Sequence, residues 1–229
     1  MILLEFEMER KFIITADGSS SIYLPEWEEH YHSKHGAIQE AYHVFIESGL
    51  NLFENRSKLS ILEIGFGTGL NCFITFLEGK KRNLQINYDG VEAFPLAKEE
   101  IEQLNYVEQL RANKESGIFN NIHQIQWGRK QKISHSFSLT KRKQFFEDID
   151  DQNKFDLIYF DAFGARVQPE LWTKKMFNKM HDSLKNNGIL VTYSAKGSVR
   201  RAMQSVGFLV EKLPGPPGKR EMLRGRKLT

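Results

Sequence analysis

An α/β fold with a mostly parallel, doubly wound sheet is predicted by three features of the sequence. From Lys58 onward, short apolar and β-branched segments alternate with segments of helical spacing. The first of these strands runs directly into a glycine turn, Gly65-Phe66-Gly67-Thr68-Gly69. The chain closes on two strand-like segments flanking PGPPGK, which read as a C-terminal antiparallel hairpin. Strands separated by helices imply a parallel sheet covered on both faces. The 229 residues suit one main domain with an addition: an N-terminal extension over 1–57 packed on a core domain over 58–229.

The extension reads as a short strand at Phe12–Ile14, a turn at Asp17-Gly18-Ser19 and a second strand at Ser21–Leu24, broken by Pro25. Ile38, Ala41, Tyr42, Phe45 and Ile46 then recur at helical spacing over 36–49, with Gly49 as the cap. In the core domain, strand one is Ser60–Ile64 and a helix starts near Leu70. Strand two is Leu84–Glu92, followed by a helix from Pro95 to Gln109, with proline in its first turn. An irregular region holds Ile122–Trp127 and Phe137–Leu139. Strand four is Phe155–Phe160, and a helix covers Pro169–Leu184. Asn186-Asn187-Gly188 reads as a turn before strand five, Ile189–Ser194. A helix from Lys196 to Val206 ends at Gly207, and Phe208–Leu213 and Glu221–Arg226 make the hairpin.

Composition excludes several classes. Hydrophobic residues at 40% and charged residues at 27% are the balance of a globular domain. Cys72 is the only cysteine, so no internal disulfide and no CxxC metal pair is possible, and a reducing cytosol is the expected setting. No apolar run approaches the roughly 20 residues that span a bilayer. MILLEF is not expected to be a signal peptide, because Glu5, Glu7 and Glu9 interrupt it. His30, His32, His35 and His43 cluster without a third-ligand pattern, so no metal site is expected. Net charge is only +3, but it is unevenly spread. Residues 196–229 hold nine Lys/Arg and two acids, and residues 129–143 hold six Lys/Arg and none. Two such segments suggest a surface facing a polyanion; a plain solvated face is the alternative.

The glycine turn bears directly on function. Glycines permit positive φ and close approach of a ligand to the backbone, and the next helix presents free N–H groups. The spacing is GxGxG rather than the GxGxxG of pyrophosphate binders, no base lies in the turn, and Glu63 precedes it. That combination fits S-adenosylmethionine, which carries a cationic amine and no pyrophosphate. Glu92, at the end of strand two, is placed to accept ribose hydroxyls, with Asp89 as second choice. Asp161 follows four buried-strand residues, Leu157–Phe160, and emerges at the ligand edge. A carboxylate there can hold an acceptor amine or take its proton. Phe163 can stack on a base.

Together GFGTGLN, VEAFPLA, DLIYFDAFGARVQPELWT and SVRRAMQSVGFLVEKLPGPPGKREMLRG resemble one family across residues 10–226. The chain resembles the tRNA wobble-uridine methyltransferases of the MnmD type, also found as the methyltransferase half of the bifunctional bacterial MnmC. The resemblance implies a Rossmann-like class I methyltransferase that uses S-adenosyl-L-methionine to methylate the exocyclic amine of 5-aminomethyl-2-thiouridine. The partner implied is the anticodon stem-loop of tRNA, with upstream tRNA-modifying enzymes supplying the aminomethyl group. Carried onto this chain, Gly65, Phe66, Gly67, Thr68, Gly69 and Asn71 shape the cofactor turn, with Glu63 before it. Glu92 binds the ribose, Asp161 meets both cofactor and acceptor amine, Phe163 lines the pocket, and Tyr31-His32-Ser33 and His35-Gly36 belong to a segment that shapes the cofactor or acceptor pocket. Lys219, Arg220 and Glu221 form a C-terminal element near the site, and Lys196, Arg200 and Arg201 are candidate acceptor or phosphate contacts. The sequence departs from the family in two places. Gln144 stands where an acid usually meets the adenine, and Gly164-Ala165 replaces a stiffer pair after Phe163. No oxidase half follows Thr229, so only methyl transfer is expected. Two other readings stand beside this one: a small-amine methyl- or aminopropyltransferase, and a catalytically silent RNA-binding module.

Overall fold

The computed structural model describes residues 8–228; the opening MILLEF segment lies outside them. The extension forms a three-stranded antiparallel sheet of β1 (Lys11–Ile14), β2 (Ser20–Leu24) and β3 (Glu29–His30). Helix α1 (Ala37–Ala41) continues as one wide π turn, Tyr42–Glu47, and then a 3-10 turn, Leu50–Phe53. The expected cap at Gly49 is not one: its φ is −119°, and a Cβ there would lie 2.6 Å from the Phe45 carbonyl oxygen.

The main sheet is assembled from β4 (Lys58–Ile64), then, after α2 (Leu70–Lys81), β5 (Gln85–Glu92). Short helices α3 (Lys98–Ile101), α4 (Tyr106–Gln109) and α5 (Ser116–Gln124) lead to β6 (Lys130–Lys132) and β7 (Phe137–Lys143). Then come β8 (Phe155–Phe160), α6 (Lys174–Ser183), β9 (Leu184–Thr192) and α7 (Gly197–Ser205). The hairpin of β10 (Phe208–Pro214) and β11 (Glu221–Lys227) closes the chain. The sheet order is β10-β11-β9-β8-β4-β5-β7-β6. Strands β9, β8, β4, β5 and β7 are parallel, and the outer strands at both ends are antiparallel. Chain order reverses between β4 and β8, the switch point at which open α/β sheets bind ligands.

Alternation along the strands divides the core. Ile61 packs in a cluster with α2 and the Ala37–Phe53 segment, while its neighbours Leu62 and Ile64 pack against α6 and α7. Helix α2 is buried on nearly every face because it lies between the sheet and the α1 layer.

Three expectations are corrected. The single helix over Pro95–Gln109 is broken, because Asn105 leaves the helical ladder to bond the extension. Its amide donates to the Gly18 carbonyl (2.9 Å) and accepts from the Ser20 N–H (2.8 Å). Helix α5 runs into the region read as irregular, ending at Gln124, and buries only Phe119 and Ile122 fully. The turn at Asn186-Asn187-Gly188 is absorbed into β9 as a bulge. Asn187 takes φ +62°, and pairing with β8 jumps from Leu184↔Phe155 to Ile189↔Leu157.

Gly65 is the tightest point of the switch. Its φ is +87°, and a Cβ would sit 2.5 Å from the Asp161 carbonyl oxygen. Gly65→Ala must therefore separate the turn from β8 or strain both. We expect it to abolish S-adenosylmethionine binding in calorimetry and to destabilise the fold by about 1–3 kcal/mol; unchanged affinity would contradict this packing.

Candidate active site

A cavity of about 780 Å³ opens at the carboxyl ends of the parallel strands. The glycine turn forms its floor. Gly65, Gly67 and Gly69 all have positive φ, and Gly65 and Phe66 donate their N–H groups to the Val91 carbonyl (3.0 Å each). The Phe66 ring turns inward, 3% exposed, into the space that the absent side chain of Gly90 leaves. Thr68 is buried and accepts from the Tyr106 hydroxyl (3.1 Å). Glu92 is held by two backbone donors, Gly67 N–H to Oε2 and Phe94 N–H to Oε1, each 2.9 Å. Its remaining lone pairs are free for a diol. Asp89 cannot serve a ribose in the same way, because it is buried in an ion cluster with Lys154 (2.7 Å) and Arg142.

Asp161 stands at the end of β8, its N–H on the Ile64 carbonyl (2.9 Å). Asn71, in the first turn of α2, donates to Asp161 Oδ2 at 2.8 Å, so the cofactor turn and the acid are one unit. Asp161 reaches the cavity yet is shielded from bulk solvent. Burial, and then the charge of Glu40, push its pKa up to about 7, against the lowering by Asn71 and Lys219. The loop after it is pinned twice. The Tyr193 hydroxyl donates to the Ala162 carbonyl (2.8 Å), and Trp172 Nε1 donates to the Phe163 carbonyl (2.7 Å). Phe163 meets Tyr31 and Trp27 edge-on, at centroid distances of 5.0 and 5.5 Å, which makes an aromatic box beside the carboxylate.

Of the expected site residues, Gly65, Phe66, Gly67, Thr68, Asn71, Glu92, Asp161, Phe163 and Lys219 line this cavity, and Gly69 caps α2 behind it. Glu63, Gln144, Lys196, Arg200, Arg201 and Arg220 do not line it. Glu63 is 0% exposed and faces the core, where it accepts from the Tyr88 hydroxyl (2.9 Å). Gln144 accepts from Arg142 Nε (3.2 Å), and its neighbours Phe145 and Phe146 reach the cavity instead. Lys196, Arg201 and Arg220 are exposed and make no ion pair among the described residues, while Arg200 is half-buried beside Glu221. The basic stretch 129–143 is less open than its charge count suggests. Lys141 is buried under Trp127, and Arg142 is paired with Asp151 (2.5 Å).

Sequence reasoning missed Glu40, Trp27 and Tyr193, all of which line the cavity, as do Tyr31, His32 and Ser33 of the segment that the resemblance puts near the site. The His32 ring is partly buried and bonded to Ser21 (3.0 Å), and desolvation holds its pKa near 4, so it stays neutral.

A glycine turn at the switch point, free N–H groups at the start of α2, a carboxylate at the end of β5 and ample room define an α/β enzyme that binds a nucleoside-bearing cofactor. The family model described as S-adenosyl-L-methionine-dependent methyltransferase matches residues 101–228, and the chain belongs to that family. The "tRNA 5-methylaminomethyl-2-thiouridine biosynthesis bifunctional protein MnmC" of Polaromonas naphthalenivorans is 28% identical over 228 residues, 92% of this chain and 34% of that protein. Its namesake in Leptospira borgpetersenii is 30% identical over 218 residues, 87% of this chain and 32% of that protein. The chain thus spans about a third of the length of the curated relatives it matches. Among solved structures, MnmC2 from Aquifex aeolicus superposes with a TM-score of 0.73 at 23% identity, covering 96% of this chain and 71% of that one. Spermidine synthase from Thermotoga maritima gives 0.51 at 12% identity, covering 99% and 84%. Both share the fold.

The burial of Glu63 yields a stability prediction. Desolvation raises its pKa well above 4.5, and Glu63 Oε1 and Asn71 Oδ1 both lack a donor that a carboxyl proton supplies. A raised carboxyl costs no stability below its unfolded pKa and costs progressively more as pH rises towards its folded value. Glu63→Gln should therefore raise Tm at pH 8 more than at pH 5, by roughly 2–4 °C per kcal/mol relieved. A lower Tm at both pH values would mean that Glu63 is ionised in the fold.

Proposed function

We propose that the chain methylates the exocyclic amine of 5-aminomethyl-2-thiouridine at the tRNA wobble position, giving 5-methylaminomethyl-2-thiouridine. The observation that carries this reading is Asp161: a shielded carboxylate, tied by Asn71 to the cofactor turn and sharing a cavity of about 780 Å³ with the aromatic rings of Phe163, Tyr31 and Trp27. The relatives' shared name supports the same substrate. The buried, free Cys72 suits a reducing cytosol. No helix among the described residues is long and apolar enough to cross a membrane.

The residues fit the cofactor, since Gly65 and Gly67 line the cavity with no side chain in the way and Glu92 keeps lone pairs for the ribose. Bound S-adenosylmethionine supplies a methyl group on a sulfonium, whose carbon–sulfur electron pair stays with sulfur as the nitrogen–carbon bond forms. The protein's part is to present a neutral amine in line. An ammonium has no lone pair, so Asp161 takes its proton, and a pKa of about 7 makes it a base near neutrality. Phe163, Tyr31 and Trp27 orient the base and exclude water. Lys196, Arg201, Arg220 and Arg226 offer unpaired charge to the phosphates.

Methyl transfer from labelled S-adenosylmethionine to tRNA from a host lacking this protein tests the reading; transfer to free diamines but not tRNA would overturn it. The rate should fall as pH drops through about 7, as Asp161 becomes protonated. Asp161→Asn should remove that limb and lower turnover by about 10²-fold, with cofactor affinity near normal. An unchanged profile would assign the base elsewhere. If four basic residues meet phosphates, tRNA affinity should fall on the order of 50–150-fold between about 50 and 200 mM salt. Salt-independent affinity would remove that surface.

A further inference from the structure

Glu40, on α1, is 8% exposed and shares the cavity with Asp161. Its two oxygens have different partners. Oε2 accepts the Ser33 N–H at 2.7 Å, which fixes the carboxylate. Oε1 accepts from Lys219 Nζ at 2.8 Å, and that ammonium lies 3.9 Å from the centroid of the Tyr193 ring. Tyr193 is itself held by its bond to Ala162, next to Asp161. A carboxylate, an aromatic face and a second carboxylate nearby are the set that recognises a primary alkylammonium.

Lys219 is not built in as a core residue would be. It comes from the exposed loop between β10 and β11, and its side chain stays 36% exposed. Among the described residues its Nζ makes one hydrogen bond, with three protons to give. The loop's backbone is anchored separately, by Gly218 against the His35 ring and by His43 Nε2 on the Pro214 carbonyl (2.8 Å). The side chain can therefore swing out while the loop stays. Two other charged groups of the cavity are already engaged: Glu29 pairs with Arg166 (3.0 Å), and Arg10 with Glu100 (2.9 Å). Two carboxylates, Glu40 and Asp161, share one lysine.

We propose that Glu40, Asp161 and the Tyr193 ring form an ammonium seat, which Lys219 fills until the acceptor's own ammonium displaces it. This rests on the reading that the acceptor is a primary amine. The seat draws the acceptor in as a cation; one proton then passes from its nitrogen to the Asp161 carboxylate, leaving a neutral amine and a carboxylic acid. Glu40 is a positioning residue. Lys219, expected from sequence to bind substrate, becomes a competitor for the site.

The test uses n-butylammonium chloride, which matches the lysine stem, with S-adenosylhomocysteine affinity as the control for folding. Lys219→Met should bind n-butylammonium at least 5-fold more tightly than the unmodified protein, and adding Glu40→Gln should abolish the gain. Equal or weaker binding by Lys219→Met overturns the seat. In the unmodified protein, the Lys219 ε-protons, shielded by the Tyr193 ring, should move downfield in NMR as the salt is added; no movement at saturation overturns displacement, even if the variants do not fold. With the acceptor tRNA, Glu40→Gln should raise KM at least 10-fold with a smaller change in kcat. The n-butylammonium ranking without methyl transfer to tRNA keeps the seat and removes the tRNA reading. Methyl transfer without that ranking does the reverse.

Discussion

The hydrogen bond from Asn71 to Asp161 holds the two halves of the site together. It crosses the switch point, where β4 and β8 part and their following segments leave in opposite directions. Asn71 can make it only because Gly65 lets the turn lie against the β8 exit, with no Cβ between the two backbones. One bond thus fixes the distance between the glycine turn, proposed to hold the cofactor, and Asp161, proposed to meet the acceptor. Methyl transfer in line needs such a fixed distance more than it needs a reactive side chain.

Around that bond the protein places more carboxyl groups than cations and separates their behaviour by environment. Glu63 lies in the core, where burial raises its pKa; Asp161 is shielded, with its pKa pushed up to about 7; Glu92 is held by two backbone N–H groups. Glu40 is matched by Lys219. Four acids around one switch point have four surroundings, and those surroundings set what each can do.

Much of this was legible in the sequence because it is local. The parallel strands, the glycine turn, Glu92 and Asp161 follow from patterns a few residues long. The remainder depends on direction and on distant partners. Alternation along β7 puts Phe137, Leu139 and Lys141 on one buried face, so a count of basic residues overstated the surface charge there. Glu63 precedes the turn but points to the core, where Tyr88 meets it. Gln144 is drawn to Arg142 rather than to the cavity. Glu40, Tyr193 and Lys219 come from α1, the segment after β9 and the hairpin loop, and only the folded chain brings them together. The short α5 and the break at Asn105 were hidden for the same reason, since a tertiary contact decides each.

Under the proposed function, this site adds a methyl group to the aminomethyl nitrogen of a wobble uridine. Nucleoside mass spectrometry on tRNA treated with the pure protein and isotopically labelled S-adenosylmethionine reads that step itself. The label should appear in 5-methylaminomethyl-2-thiouridine, on the exocyclic nitrogen. Label on a ring atom, on a ribose or in another nucleoside would contradict the proposal.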